Sequence, residues 1–107
     1  MSTFNTWFKK SFGCPVPREF DEFIGEHPQG LSGDAGTLWD PEEIMACTEE
    51  RDLAEKGVCM IGTTSTLGVF LLRAKDGRVF VVDRTDFGVV DAWFACISTC
   101  IGLLDFS

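Results

Sequence analysis

Histidine occurs once in this sequence, at His27, and that single residue limits the chemistry to be expected. A cysteine–histidine nucleophile would need His27 beside a particular cysteine. The sequence-local partner is Cys14, and both residues lie next to prolines in connecting segments. A Ser-His-Asp triad would need the same histidine, and no nucleophile-elbow motif is present. The five cysteines, Cys14, Cys47, Cys59, Cys96 and Cys100, are odd in number and lack framework or paired-ligand spacing. They read as reduced, mostly buried small hydrophobes, with Cys96 and Cys100 on one face if their segment is helical. No metal site and no cofactor is expected from them. A catalytic carboxylate should sit in apolar surroundings. Only Asp105, between Leu104 and Phe106, has such neighbours, so no catalytic residue is assigned.

Basic residues are scarce: nine Lys and Arg stand against seventeen Asp and Glu, for a net charge of −8. A nucleic-acid backbone would be repelled by this charge, whereas a basic protein would be attracted. The imbalance is concentrated, with twelve of the seventeen carboxylates in residues 19–55 and Arg51 as the one base among them. Long apolar runs are missing too. The most apolar piece, residues 92–104, is shorter than the roughly 20 residues of a membrane span and contains Ser98 and Thr99. Residues 1–10 do not have the order of a secretory signal, so a cytoplasmic location without membrane contact is expected. Tyrosine is absent; ten Phe and three Trp supply the aromatic core of one domain spanning residues 1–107.

The best anchor for that core is LGVFLLRAKDGRVFVVD at residues 67–83. Asp76-Gly77 signals a tight hairpin, with Lys75 facing Arg78, Arg73 facing Phe80 and Leu72 facing Val81. Neither arm alternates cleanly, so both faces should be covered. Before it, Ser2 or Thr3 can cap a helix to about Phe12 with Phe4, Trp7, Phe8 and Phe12 as its stripe. A second helix starts at Pro17 and fades by His27, burying Phe20, Phe23 and Ile24. Residues 29–37 read as a flexible loop. Their glycines do not make a phosphate cradle, since no Lys follows and Asp34 interrupts them. Leu38-Trp39 suits a short strand, and Asp40-Pro41-Glu42-Glu43 starts a third helix reaching Lys56, with Ile44, Ala46, Cys47 and Leu53 inward. Residues 58–61 form a strand and residues 87–90 an edge strand. Asp91 then caps a closing helix over 92–104, apolar nearly all round. The expected fold is α+β, a mainly antiparallel sheet of four to five strands with helices packed against it, in the order helix-helix-strand-helix-strands-helix.

Three motifs in this order resemble the SUKH superfamily. CPVPREFDEFIGEHPQG is similar to the family's opening, with Pro17, Phe20, Phe23 and Gly30 in the matching places. LWDPEEI resembles its short strand entering a helix, and VCMIGTTSTLGVFLLRAKDGRVFVVD its central strand, turn and hairpin, with Gly62 and Gly68 as the glycines. The resemblance covers residues 14–106 and departs at 63–67, where no acidic or amide residue stands between the glycines. It implies a bacterial immunity protein that binds and neutralises a cognate toxin, often a nuclease, without catalytic residues of its own. The resemblance carries over no binding residue. A carboxylate-rich surface complementing a basic groove would place the partner-binding residues at Glu42, Glu49 and Glu50 on the third helix and at Asp83 and Asp86 in the loop beyond the hairpin. Trp39 would be an aromatic anchor, if it is not simply core. A non-enzymatic scaffold or regulatory module of the same fold is the alternative. A homodimer through the last helix or an edge strand stays open.

Overall fold

In the computed structural model, residues 3–34, 36–66 and 68–104 are described, the side chains of 103 and 104 excepted. One candidate cap (Ser2), the start of the hairpin stretch (Leu67) and Asp105 lie outside the described residues. The elements run α1 (Thr3–Phe12), α2 (Arg18–Glu26), β1 (Leu31–Gly33), β2 (Gly36–Leu38), α3 (Pro41–Glu50), a 3₁₀ turn (Leu53–Lys56), β3 (Val58–Thr64), β4 (Gly68–Arg73), β5 (Val79–Asp83), β6 (Val90–Phe94) and α4 (Ile97–Leu104). The α+β class holds. The sheet has six strands rather than four to five, all antiparallel, in the spatial order β1-β2-β3-β4-β5-β6.

The structure differs from the sequence reading at several elements. Residues 29–37 are a small hairpin, not a plain loop: Leu31 pairs with Leu38 and Gly33 with Gly36. The third helix breaks after Glu50 because Asp52 adopts a left-handed conformation (φ 54°), one that a short polar side chain tolerates. That break turns Leu53 onto the sheet, whereas Ala46 is exposed instead of inward. The central hairpin is longer in its loop than expected: Leu72 pairs with Val79, Leu71 with Phe80 and Phe70 with Val81. Arg73 N–H donates to Arg78 O at 2.8 Å, leaving residues 74–77 as a four-residue loop. Finally, Asp91 is no helix cap. Residues 90–94 pair along β5 instead (Phe80 with Trp93, Val79 with Phe94), and α4 starts only at Ile97.

The sheet divides the core in two. On one face Phe4 and Phe8 of α1, Phe20 and Phe23 of α2, Ile44 of α3 and Ile97 and Cys100 of α4 pack over Cys59, Ile61, Phe70, Leu72 and Val79. On the other face Leu53, Met60, Val69, Leu71 and Val82 form a smaller cluster, edged by Trp39, Phe80 and Phe87. β4 is therefore buried on both faces, as its unbroken apolar run implies. β3 carries a bulge between Met60 and Gly62. β2 pairs only with its far half, residues 62–64. Where β2 stops, α3 takes over the edge: Met60 N–H donates to the fully buried Thr48 Oγ1 at 3.0 Å. That bond satisfies a backbone donor that burial would otherwise make costly.

Candidate functional site

The acidic helix is set by its start. Asp40 accepts from Glu43 N–H at 2.8 Å, and Pro41 occupies the first turn. Both favour a helix beginning there, and the carboxylates of Glu42 and Glu43 lie at the positive end of its dipole. Glu42, Glu49 and Glu50 are all exposed. Glu42 and Glu49 lie seven residues apart, hence on one face and roughly 10 Å along the axis. Among the described residues no ion pair joins an α3 carboxylate to a base; the ion pairs are Arg18–Glu22, Arg73–Asp76 and Arg78–Asp76. Glu49 has a second task, since its Oε1 accepts from Trp7 Nε1–H at 2.7 Å and so ties α3 to α1. Trp39 is half-buried and touches both core clusters, while its backbone N–H donates to Ile61 O at 2.8 Å.

Asp83 and Asp86 lie at the end of β5, two strands beyond the β3 strand on which α3 packs. At about 4.8 Å per strand this puts them roughly 10 Å across the sheet, a separate acidic patch. Their carboxylates shape the loop. Asp83 Oδ1 accepts from Thr85 Oγ1–H at 2.6 Å and Thr85 N–H at 2.8 Å, and Asp86 Oδ1 accepts from Gly88 N–H at 2.9 Å. The Thr85 hydroxyl and amide hold the Asp83 carboxyl below its ordinary range.

His27 and Cys14 have separate neighbours. The His27 ring lies against Phe23 at 5.1 Å, at the C-terminal end of α2. Cys14 precedes that helix and its thiol donates to Ala74 O at 3.6 Å. Cys96 immediately precedes α4 and its carbonyl accepts from the N–H of buried Cys100 at 3.2 Å, so the two stand one helical turn apart. Burial pushes the Cys59 thiol up, and the Cys100 thiol up to about 12, away from the reactive thiolate. Among the described residues no group of three or more His, Cys, Asp or Glu is placed to hold a metal ion, and no helix is long and apolar enough to cross a membrane.

What sequence reasoning missed lies on the second sheet face, at the end of β5 away from Asp83 and Asp86. Arg73 lies over the Phe80 ring (5.3 Å) and Arg78 over the Trp93 ring (4.9 Å). Asp76 sits between them, accepting from Arg73 Nε–H at 3.0 Å and from Arg78 N–H at 3.2 Å. Reading residues 91–104 as one helix hid this row, because Trp93 meets Phe80 only when 90–94 is a strand. Arg73 pulls the Asp76 carboxyl down to about 2 from an ordinary 3.8. A lowered folded-state value stabilises the fold above the unfolded-state value, and that stabilisation fades as pH falls through the folded one. The stability difference between the wild type and Asp76→Asn should therefore be constant above pH 5 and shrink toward zero near pH 2. Urea titrations across this range would measure it; a difference that grows on acidification would contradict the assignment.

No protein-family model matches the chain, and no curated protein matches it either.

Proposed function

We propose that this protein is an immunity-type binding module that docks on a basic toxin and blocks it without catalysis of its own. The observation that carries the reading is the exposed carboxylate face of α3, which no base neutralises among the described residues, in a chain of net charge −8. The three motifs resembling the SUKH superfamily add the expectation of a bacterial toxin as the partner. An acidic face of this kind speeds encounter with a basic groove and, once seated, excludes an anionic substrate from it. Glu42 and Glu50 are the residues for direct contact, together with Asp86. Glu49 contributes to the same field but also holds Trp7.

The test begins with affinity capture of the tagged protein from its native cells at low and high salt. The captured partner is then assayed for a toxic activity that this chain silences. Simultaneous Glu42→Lys and Glu50→Lys should slow association at low salt by tenfold or more, while high salt reduces the difference. Glu49 is left intact so that the α1–α3 contact is unchanged. A partner without toxicity would favour a scaffold role in place of immunity. An association rate indifferent to the double reversal would remove the α3 face.

A further inference from the structure

The second face of the sheet is open over β5 and β6. Trp93 is 55% exposed and Val90 52%, and Phe80 is half-buried between them and the core. Pairing of Val82 with Val90 and of Phe80 with Trp93 puts all four on this face. A groove of about 330 Å³ runs there, walled by Leu53 and Lys56 of the 3₁₀ turn on one side and by Phe87 and Val90 on the other, with Leu71 and Phe80 in its floor. The 3₁₀ turn packs on β3, so the face beside it runs from Leu71 on β4 to Val90 on β6. At about 4.8 Å between strands this is roughly 10 Å, close to the width of a helix.

Charge gives the groove a direction. Lys56, Arg73, Lys75 and Arg78, four of the nine bases in the chain, cluster at the β4–β5 turn, where Asp76 answers two of them. Asp86, whose carboxylate holds the groove-lining Gly88, marks the other end, while Asp83 points to the helix-covered face. The edge of the sheet itself is poorly suited to adding a strand: the register shift against Val81 and Val82 makes Asp91 an extra, charged residue in β6. A bulge and a charge are the devices that keep edges unpaired. Two copies stacked groove to groove about a two-fold axis parallel to β5 would place the same cationic ends together, which disfavours that arrangement of a dimer.

We propose that this groove docks an amphipathic helix of a protein partner, its apolar stripe on Phe80, Val90 and Trp93. Its C-terminal end, bearing carboxylates, lies over Arg73 and Arg78; its N-terminal end, bearing bases, lies by Asp86. The helix dipole favours the same polarity, positive end to Asp86 and negative end to the arginines. Apolar anchors at i, i+3, i+4 and i+7 supply the contact area. The inference stands whether or not that partner is a toxin.

The probe is a synthetic 14-residue helix with a leucine stripe, three lysines in its first turn and three glutamates in its last, compared by calorimetry with a peptide in which the charged ends are exchanged. Both have the same net charge, so the overall field of the protein does not separate them. The first should bind at least tenfold more tightly. Arg78→Glu should erase that preference, and Val90→Glu, at an exposed position, should weaken both peptides at least tenfold with an unchanged melting temperature. Equal affinities, no saturable binding, or insensitivity to Val90→Glu would overturn the proposal. So would sedimentation showing a dimer that Val90→Glu dissociates, which would make a second copy the occupant.

Discussion

Gly62→Ala should unfold the β2–β3 junction and lower the melting temperature by roughly 15 °C or more, although it adds a single methyl group. A Cβ at this position would lie 2.1 Å from Thr37 O and 3.0 Å from Leu38 Cα, both backbone atoms of the paired strand. Backbone cannot rotate aside as a side chain can, so β2 must move away from β3 by about an ångström. That movement breaks the Leu38–Gly62 pairing and the bond from Trp39 N–H to Ile61 O. It also lifts Leu38, 1% exposed, out of the main core cluster. Overpacking against fixed atoms, with lost strand bonds, places the cost at about 3 kcal/mol or above. At about 4–8 °C per kcal/mol for a domain of this size, the shift is the one stated. Gly25→Ala is the matching control. Gly25 lies within α2, and a Cβ there meets nothing within 4 Å. The added helix propensity should then stabilise by up to about 1 kcal/mol. If the two variants melted alike, close approach would not be the reason glycine stands at position 62.

The second large effect is expected for Phe8→Ala, at about 3–5 kcal/mol by the usual cost of emptying a buried aromatic site. Phe8 has no exposed surface. Its ring lies 4.6 Å from that of Phe12, 5.9 Å from Phe4 and 6.4 Å from Trp7. The ring is the middle of the aromatic stripe that fixes α1 to the sheet, and those neighbours are too rigid to fill its space. Loss of it should also free Trp7 from Glu49, so amide exchange in α1 should accelerate more than in β4. A domain of ordinary stability, about 5–15 kcal/mol, would be left marginal. Phe12→Ala, at a half-exposed position, should cost distinctly less. Chemical denaturation compares the two, and equal losses would mean that the stripe is held by something other than Phe8.

If either substitution behaves as expected, binding measurements on the acidic face need a folded reference. Glu49 shows why: its carboxylate belongs at once to the proposed contact surface and to the bond that holds α1. Changing it alone would mix affinity with stability, whereas Glu42 and Glu50 separate them.

Features that depend on one to four neighbouring residues were legible in the sequence. Asp40-Pro41 starts α3 where expected, because the cap and the proline's fixed φ act within one turn. Phe4 and Phe8 are buried, as are Phe20 and Phe23, because helical spacing alone puts them on one side. The unbroken apolar run in β4 indicated burial on both faces. The concentration of carboxylates on α3 was equally plain, since exposed charge follows from composition and helix phase.

Tertiary structure decided what depends on a distant partner. The central hairpin slid by two residues from the expected register. A shift of two leaves every side chain on its own face, so the hydrophobic pattern cannot detect it; the Arg73–Asp76 pair and the left-handed Gly77 select the longer loop. Residues 90–94 became a strand because β5 offered an unpaired edge, and backbone bonds along it outweighed a helical pattern in the same residues. That choice put Trp93 against Arg78 and opened the groove. The roles of Glu49, Asp83 and Asp86 in holding loops and helices appear only when residues far along the chain, or backbone amides in a formed turn, come within hydrogen-bond reach. Charge and phase are local properties; register, edge pairing and the sharing of a carboxylate are not.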